Sequence, residues 1–252
     1  METVICKTIK SISRDQWEAC RASKAGGDPF LSYDFFLLLE SSNSVGPNTG
    51  WIPFYITFKE KSIVVGIIVS FLKTHSQGEY VFDHSWADAY ERSGANYYPK
   101  LQVAVPFTPV TGGRILVRPE NESQVDEMIS STKNFVKENN ISSLHVTFCN
   151  DSFVGVAKKN SLLVREGIQY HWFNRNYKSF DDFLGSLTYR KRKNIIKERK
   201  QARNFGGQIK SLTGNQLTDF ELEAFWHFYQ NTGQRKWGYP YLTKDFFMCL
   251  NK

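Results

Sequence analysis

Long apolar runs are missing from this 252-residue chain. The longest, Ile63 to Leu72, is interrupted by Gly66 and Ser70 and falls well short of the ~20 apolar residues that span a bilayer. The start, METVICKTIK, lacks an apolar core behind a basic stretch, so the expectation is a protein without a transmembrane segment, in the cytoplasm. Cysteine is scarce. Cys6, Cys20, Cys149 and Cys249 are scattered and form no CxxC pair, which argues against a disulfide framework or a zinc site and for reduced thiols and no metal. Also lacking is the composition of a disordered chain, since 41% of the residues are hydrophobic and 15% aromatic. The length allows one large domain or two small ones.

What is present is a charge surplus held in one place. Lys and Arg exceed Asp and Glu by seven over the whole chain, 32 against 25. Between Tyr189 and Arg203, eight basic residues face one acid, Glu198, so this stretch alone carries the imbalance. TYRKRKNIIKERKQARNFGG (Thr188 to Gly207) reads as a helix of good helix formers, with Thr188 as N-cap and the Gly206-Gly207 pair as terminator. Arg190, Lys191, Arg192 and Lys193 then fall in the first turn, where the helix dipole disfavours cations by about 0.3–1 kcal/mol each. Such a turn either offers an anion site or is a solvated basic face.

Along the chain the pattern predicts an α/β succession. Val4 to Ile9 reads as a strand, and Arg14 to Ser23 and Tyr33 to Ser41 as helices. Ile52 to Phe58 and Ser62 to Lys73 read as a hairpin around Lys59-Glu60-Lys61. Leu101 to Val105 is a strand, Glu122 to Asn139 an amphipathic helix, Ser143 to Phe148 a strand and Ser152 to Asn160 a helix. Leu162 to Asn174 reads as a strand or hairpin. After Gly207 come one candidate strand, Gln208 to Leu212, and two helices, Thr218 to Asn231 and Thr243 to Asn251. The whole is a mixed sheet covered by helices.

Six blocks carry a family resemblance: FDHSWADAY (Phe82 to Tyr90), YYPKLQVAVPFTPVTGGRIL (Tyr97 to Leu116), SLHVTF (Ser143 to Phe148), REGIQYHWFN (Arg165 to Asn174), FDDFLGSLTYRKRKNIIKERK (Phe180 to Lys200) and RKWGYPYLTKDFF (Arg235 to Phe247). Together they resemble the bacterial FemAB-like, GNAT-related proteins of peptidoglycan biosynthesis and recognition, over about Asp28 to the C-terminus. The resemblance implies a GNAT-like fold in two halves, here 1–177 and 178–252, and transfer of an acyl group from acetyl-CoA or an aminoacyl-tRNA to an amine, with no metal. It implies a phosphorylated substrate or a tRNA as partner. Members of this family usually run on past RKWGYPYL into a second sheet, whereas this chain stops at Met248-Cys249-Leu250-Asn251-Lys252, so the second half is expected to be incomplete and the activity reduced or lost.

Acyl transfer needs an amine, a group to take its proton and donors for the developing oxyanion. Asp83, His84 and Asp88 are the catalytic candidates, with Asp88 one turn beyond His84; the alternative is a helix capped by Ser85 with Asp88 in a capping box. Thr111, Gly112, Gly113 and Arg114, in the loop after a strand, offer amides and a guanidinium to a pyrophosphate, or form a plain Gly-Gly turn. Tyr98 and Lys100 could stack on a ring and hold an anion, or belong to the core with Tyr97. His171 reads as a binding residue or as a half-buried strand histidine. Arg235, Lys236, Trp237 and Tyr239 interleave cations with aromatics, which suits a phosphate with a ring or sugar. The rival to an enzyme is a binding module in which the basic helix holds RNA or another polyanion.

Overall fold

Two apolar runs on either side of Lys59-Glu60-Lys61 do form a hairpin, but each of them breaks once and changes sheet. A computed structural model describes residues 1–22, 27–236 and 238–250. The chain gathers into two compact units, Met1–Val164 with Leu217–Lys252, and Arg165–Gln216. The first holds β1 (Glu2–Cys6), α1 (Arg14–Arg21), α2 (Tyr33–Ser41), β2 (Trp51–Pro53), β3 (Tyr55–Glu60), β4 (Ile63–Ile68), β5 (Ser70–Lys73), α3 (His84–Arg92), β6 (Lys100–Val103), β7 (Ile115–Val117), α4 (Val125–Glu138), β8 (Leu144–Val146) and α5 (Asp151–Lys159). The second holds α6 (Phe180–Gly185) and α7 (Tyr189–Arg203), and the chain returns to the first with α8 (Asp219–Arg235) and α9 (Lys244–Met248). These units follow other lines than the expected halves 1–177 and 178–252, which concern kinship rather than contact.

One sheet runs β1-β3-β4-β7, antiparallel throughout; the other runs β2-β5-β6-β8, antiparallel except that β6 and β8 are parallel. The mixed α/β class expected from the sequence is what forms. The breaks fall at Phe54 and Val69, because Pro53 has no N–H to continue its ladder and the two crossing points are stitched together: Phe54 N donates to Ser70 O at 3.0 Å, and Ser70 Oγ donates back to Phe54 O. The hairpin turn uses left-handed Lys61 and Ser62, φ 47° and 71°. Both faces of the first sheet are buried. Tyr55, Ile67 and Leu116 pack with Trp17 and Phe36 under α1 and α2, while Ile56, Phe58, Ile68 and Val117 pack with Met128 and Val136 of α4. A 3-10 turn, Pro119–Gln124, takes up the start of the expected Glu122 helix.

Two expected strands are absent among the described residues. Leu162 to Asn174 and Gln208 to Leu212 form no ladder, since residues 165–216 supply two helices and no strand edge to pair with. The C-terminal helices join the first unit's core: Phe246 and Phe247 are buried, Phe246 meets Phe35 edge-on, and Thr243 Oγ1 donates to Ser42 O at 2.8 Å. The last residue of the predicted helix 243–251 lies outside the described residues, as does that of the predicted helix 14–23.

Candidate functional site

Register places Lys73 of β5 directly opposite Lys100 of β6, with Phe71 opposite Gln102 and Gln102 opposite His145. One face of the second sheet therefore presents Trp51, Lys73, Lys100, Gln102, His145 and Thr147, while Leu101, Val103, Leu144 and Val146 line the other. The two lysines are fully buried, as are Glu79 and Asp83 beside them. All three ammonium protons of Lys100 are used: Nζ donates to Ser76 Oγ at 2.9 Å, Glu79 Oε2 at 2.8 Å and Asp83 Oδ2 at 2.6 Å. Tyr97 Oη also donates to Asp83 Oδ2, at 2.7 Å, and Tyr98 Oη shares a 2.8 Å bond with Ser76 Oγ. Lys73 Nζ donates to Gln77 O at 3.2 Å, stands 3.9 Å above the Trp51 ring and is 4.0 Å from Glu79 Oε1.

Burial sets the electrostatics of this cluster. It pulls the Lys73 ammonium down to about 7, with Lys100 adding repulsion and Glu79 opposing, and it pushes the Glu79 carboxyl up against the pull of Lys100. Burial would raise Asp83 too, but bonds from Lys100, Ser76 and Tyr97 outweigh it and hold the carboxyl down at about 2. Glu79 Oε1, Asp83 Oδ1 and Gln102 Oε1 are left buried without a hydrogen bond. The anion that Lys100 meets is thus internal, and Tyr98 is tied to the same cluster.

The Asp83, His84, Asp88 trio is split by α3. Asp83 is the residue before its first turn and turns its carboxylate inward to Lys100 rather than capping the helix. His84 and Asp88 lie one turn apart on the exposed side. Ser85 is already inside the helix, which corrects the capping-box alternative. In the 106–114 loop, the donors offered to a phosphate are mostly spent. Arg114 is buried and gives Nε to Thr147 O (2.7 Å), Nη1 to Gly113 O (2.9 Å) and Nη2 to Val110 O (2.6 Å). Burial lowers its guanidinium to about 10, with Asp28 opposing. Gly112 N donates to Phe148 O at 3.0 Å, and Thr111 is exposed. These bonds tie the loop to the end of β8.

In the second unit, Thr188 stands at the N-cap of α7, although its side chain makes no capping bond. Arg192 turns back on α6: Nε donates to Leu184 O at 2.9 Å, and Nη2 to Gly185 O at 3.2 Å and Leu187 O at 3.1 Å. Its cation therefore satisfies helix-end carbonyls. Arg190, Lys191 and Lys193 are exposed. His171 is exposed in a segment without a ladder, with Nε2 3.1 Å from Gln169 Oε1, rather than half-buried in a strand. Back in the first unit, Arg235 closes α8, Lys236 follows it and Tyr239 is 92% exposed. Trp237 lies outside the described residues.

A family model for FemAB-like proteins, described as peptidoglycan biosynthesis/recognition, matches residues 8–252. The chain belongs to the FemAB-like family. No curated protein matches it. Among solved structures, the ligand-free aminoglycoside 6'-N-acetyltransferase of Acinetobacter haemolyticus is similar at 14% identity, with a TM-score of 0.37, over 71% of this chain and 100% of that one. Sequence reasoning about this FemAB-like chain missed Lys73, Ser76, Glu79 and Gln102. Alternation in KLQV and LHVT would have shown a polar face, but not that the face is buried.

Proposed function

We propose that this FemAB-like protein is an N-acyltransferase that moves an acetyl or aminoacyl group from acyl-CoA or aminoacyl-tRNA to an amine on a cell-wall precursor. The family match over residues 8–252 carries the reading. In chemical terms, an ammonium first gives one proton to a base. The amine nitrogen then bonds to the acyl carbon, the carbon–sulfur or ester carbon–oxygen bond breaks, and a second proton passes from nitrogen to the leaving atom. His84, exposed at the start of α3, is the base in this reading, and Asp88 one turn along holds the ammonium. Asp83 is a positioning residue that fixes the start of α3 through Lys100.

The test is thiol release from acetyl-CoA, or loss of the aminoacyl group from a charged tRNA, in the presence of a muramyl peptide with a free amine. His84→Ala should slow it by about 10²–10⁴-fold without moving the melting temperature, since general acid–base catalysis is worth that much. Transfer unaffected by His84→Ala would remove this assignment.

A second reading is favoured by one observation: the first turn of α7 has no acidic residue, and Arg190, Lys191 and Lys193 are exposed there. In it, α7 binds a polyanion such as RNA without turnover. Strongly salt-dependent RNA binding with no acyl transfer from either donor would select it.

A further inference from the structure

Two aromatic residues of the first unit, Tyr80 and Phe107, have left-handed backbones, φ 56° and 59°. For side chains of this size that conformation is strained, and such strain gathers at ligand sites. Both rings meet Tyr241. Phe107 lies parallel beneath it, centroids 5.0 Å apart and planes 4° apart, and Tyr80 stands perpendicular to it at 6.4 Å and 81°. Phe107 is backed edge-on by the buried Trp51 at 5.3 Å. Gly78, at φ +78°, lets the chain pass, because a Cβ there would fall 2.8 Å from the Phe107 ring.

The floor of this corner is held in place. Gly238 N donates to Gly233 O at 3.3 Å, and Tyr229 Oη accepts the amides of Tyr241 at 3.0 Å and Leu242 at 3.1 Å. That leaves Tyr229 its own proton to give. Tyr80 and Tyr241 are nevertheless 47% and 36% exposed, so a rigid right angle of two rings opens to solvent. Burial, with the neighbouring phenols of Tyr241 and Tyr229, raises the Tyr80 hydroxyl above its usual range.

We propose that the Tyr80–Tyr241 corner is a binding subsite for a pyranose sugar, stacked by its C–H face on Tyr241, walled by Tyr80 and hydrogen-bonded by the phenols. A ring's negative face attracts the C–H groups of a sugar, and phenol hydroxyls both give and accept, as a polyol requires. The sugar is that of the acceptor, so this subsite rests on the acyltransfer reading; its test is a binding measurement without any acyl donor, and so fails independently of catalysis.

The probe is chitobiose, titrated by calorimetry and by saturation-transfer NMR against the whole chain. Tyr241→Ala should weaken binding about tenfold, the worth of one ring contact. Because Tyr241→Ala could loosen the α8–α9 loop, the double variant Tyr80→Phe/Tyr241→Phe is measured beside it. It keeps both rings and the melting temperature, and should still weaken binding severalfold. Chitobiose bound equally well by wild type and both variants, no binding of the disaccharide at all, or tyrosine-dependent binding of uridine monophosphate in its place would each overturn the proposal.

Discussion

Lys100 and Lys193 bring the same charge into opposite surroundings. Lys100 is sealed on a sheet face with three anionic or hydroxyl acceptors at 2.6–2.9 Å, whereas Lys193 lies exposed on α7. A buried cation without partners would cost several kcal/mol, so its partners are built in and hold the β5–α3 segment to the sheet. An exposed cation costs little and contributes little to stability, which leaves it free for a partner in solution. Arg192 stands between these cases, on the same helix as Lys193 but spent on the carbonyls that end α6.

The largest effect expected from this contrast is that of Lys100→Met. It strands Glu79 and Asp83 without their cation and should cost about 3–5 kcal/mol of stability, measured by denaturant unfolding, while Lys193→Met should change stability by less than about 0.5 kcal/mol. Equal losses would break the contrast. A pH series sharpens it through Lys73. With its folded value near 7 and the unfolded side chain near the usual 10.4, the unfolded state binds the extra proton between those values. Wild type should therefore gain stability relative to Lys73→Met as the pH rises from 7 to 10; a constant difference across that window contradicts the burial of a neutral amine.

Smaller effects belong to α7. Arg192→Ala should destabilise the α6–α7 pair by about 1–3 kcal/mol, the worth of hydrogen bonds made by a charged donor, seen as faster amide exchange around Leu187; Arg190→Ala should not. Changing Arg190, Lys191 and Lys193 together to Gln should leave melting unmoved and flatten the salt dependence of binding to single-stranded RNA, by about 0.7 in slope for each phosphate no longer neutralised. An unchanged slope would mean that these cations are only a solvated surface.

Features carried by neighbouring residues could be read from the sequence. The α7 helix, Tyr33–Ser41 and the hairpin between the two apolar runs follow from local propensity and periodicity and formed as expected, although the turn falls at Lys61-Ser62 because Lys59 and Glu60 still pair in the ladder. The charge cluster could not be read in this way, because Lys100 meets residues 17 to 24 positions earlier and only register brings Lys73 alongside it. The strand predicted at 162–174 failed for a related reason: a ladder requires a second edge, and alternating apolar side chains such as Ile168, Tyr170 and Trp172 cannot supply one. The exposed pair His84 and Asp88 was legible from spacing alone, whereas the inward turn of Asp83 was not.

The central claim, N-acyl transfer, is tested most directly by mass spectrometry of a muramyl peptide amine incubated with the protein and either acetyl-CoA or an aminoacyl-tRNA. Acyl transfer predicts an acceptor heavier by one acyl group, with free coenzyme A or uncharged tRNA formed in equal amount. An acceptor of unchanged mass with both donors would contradict it.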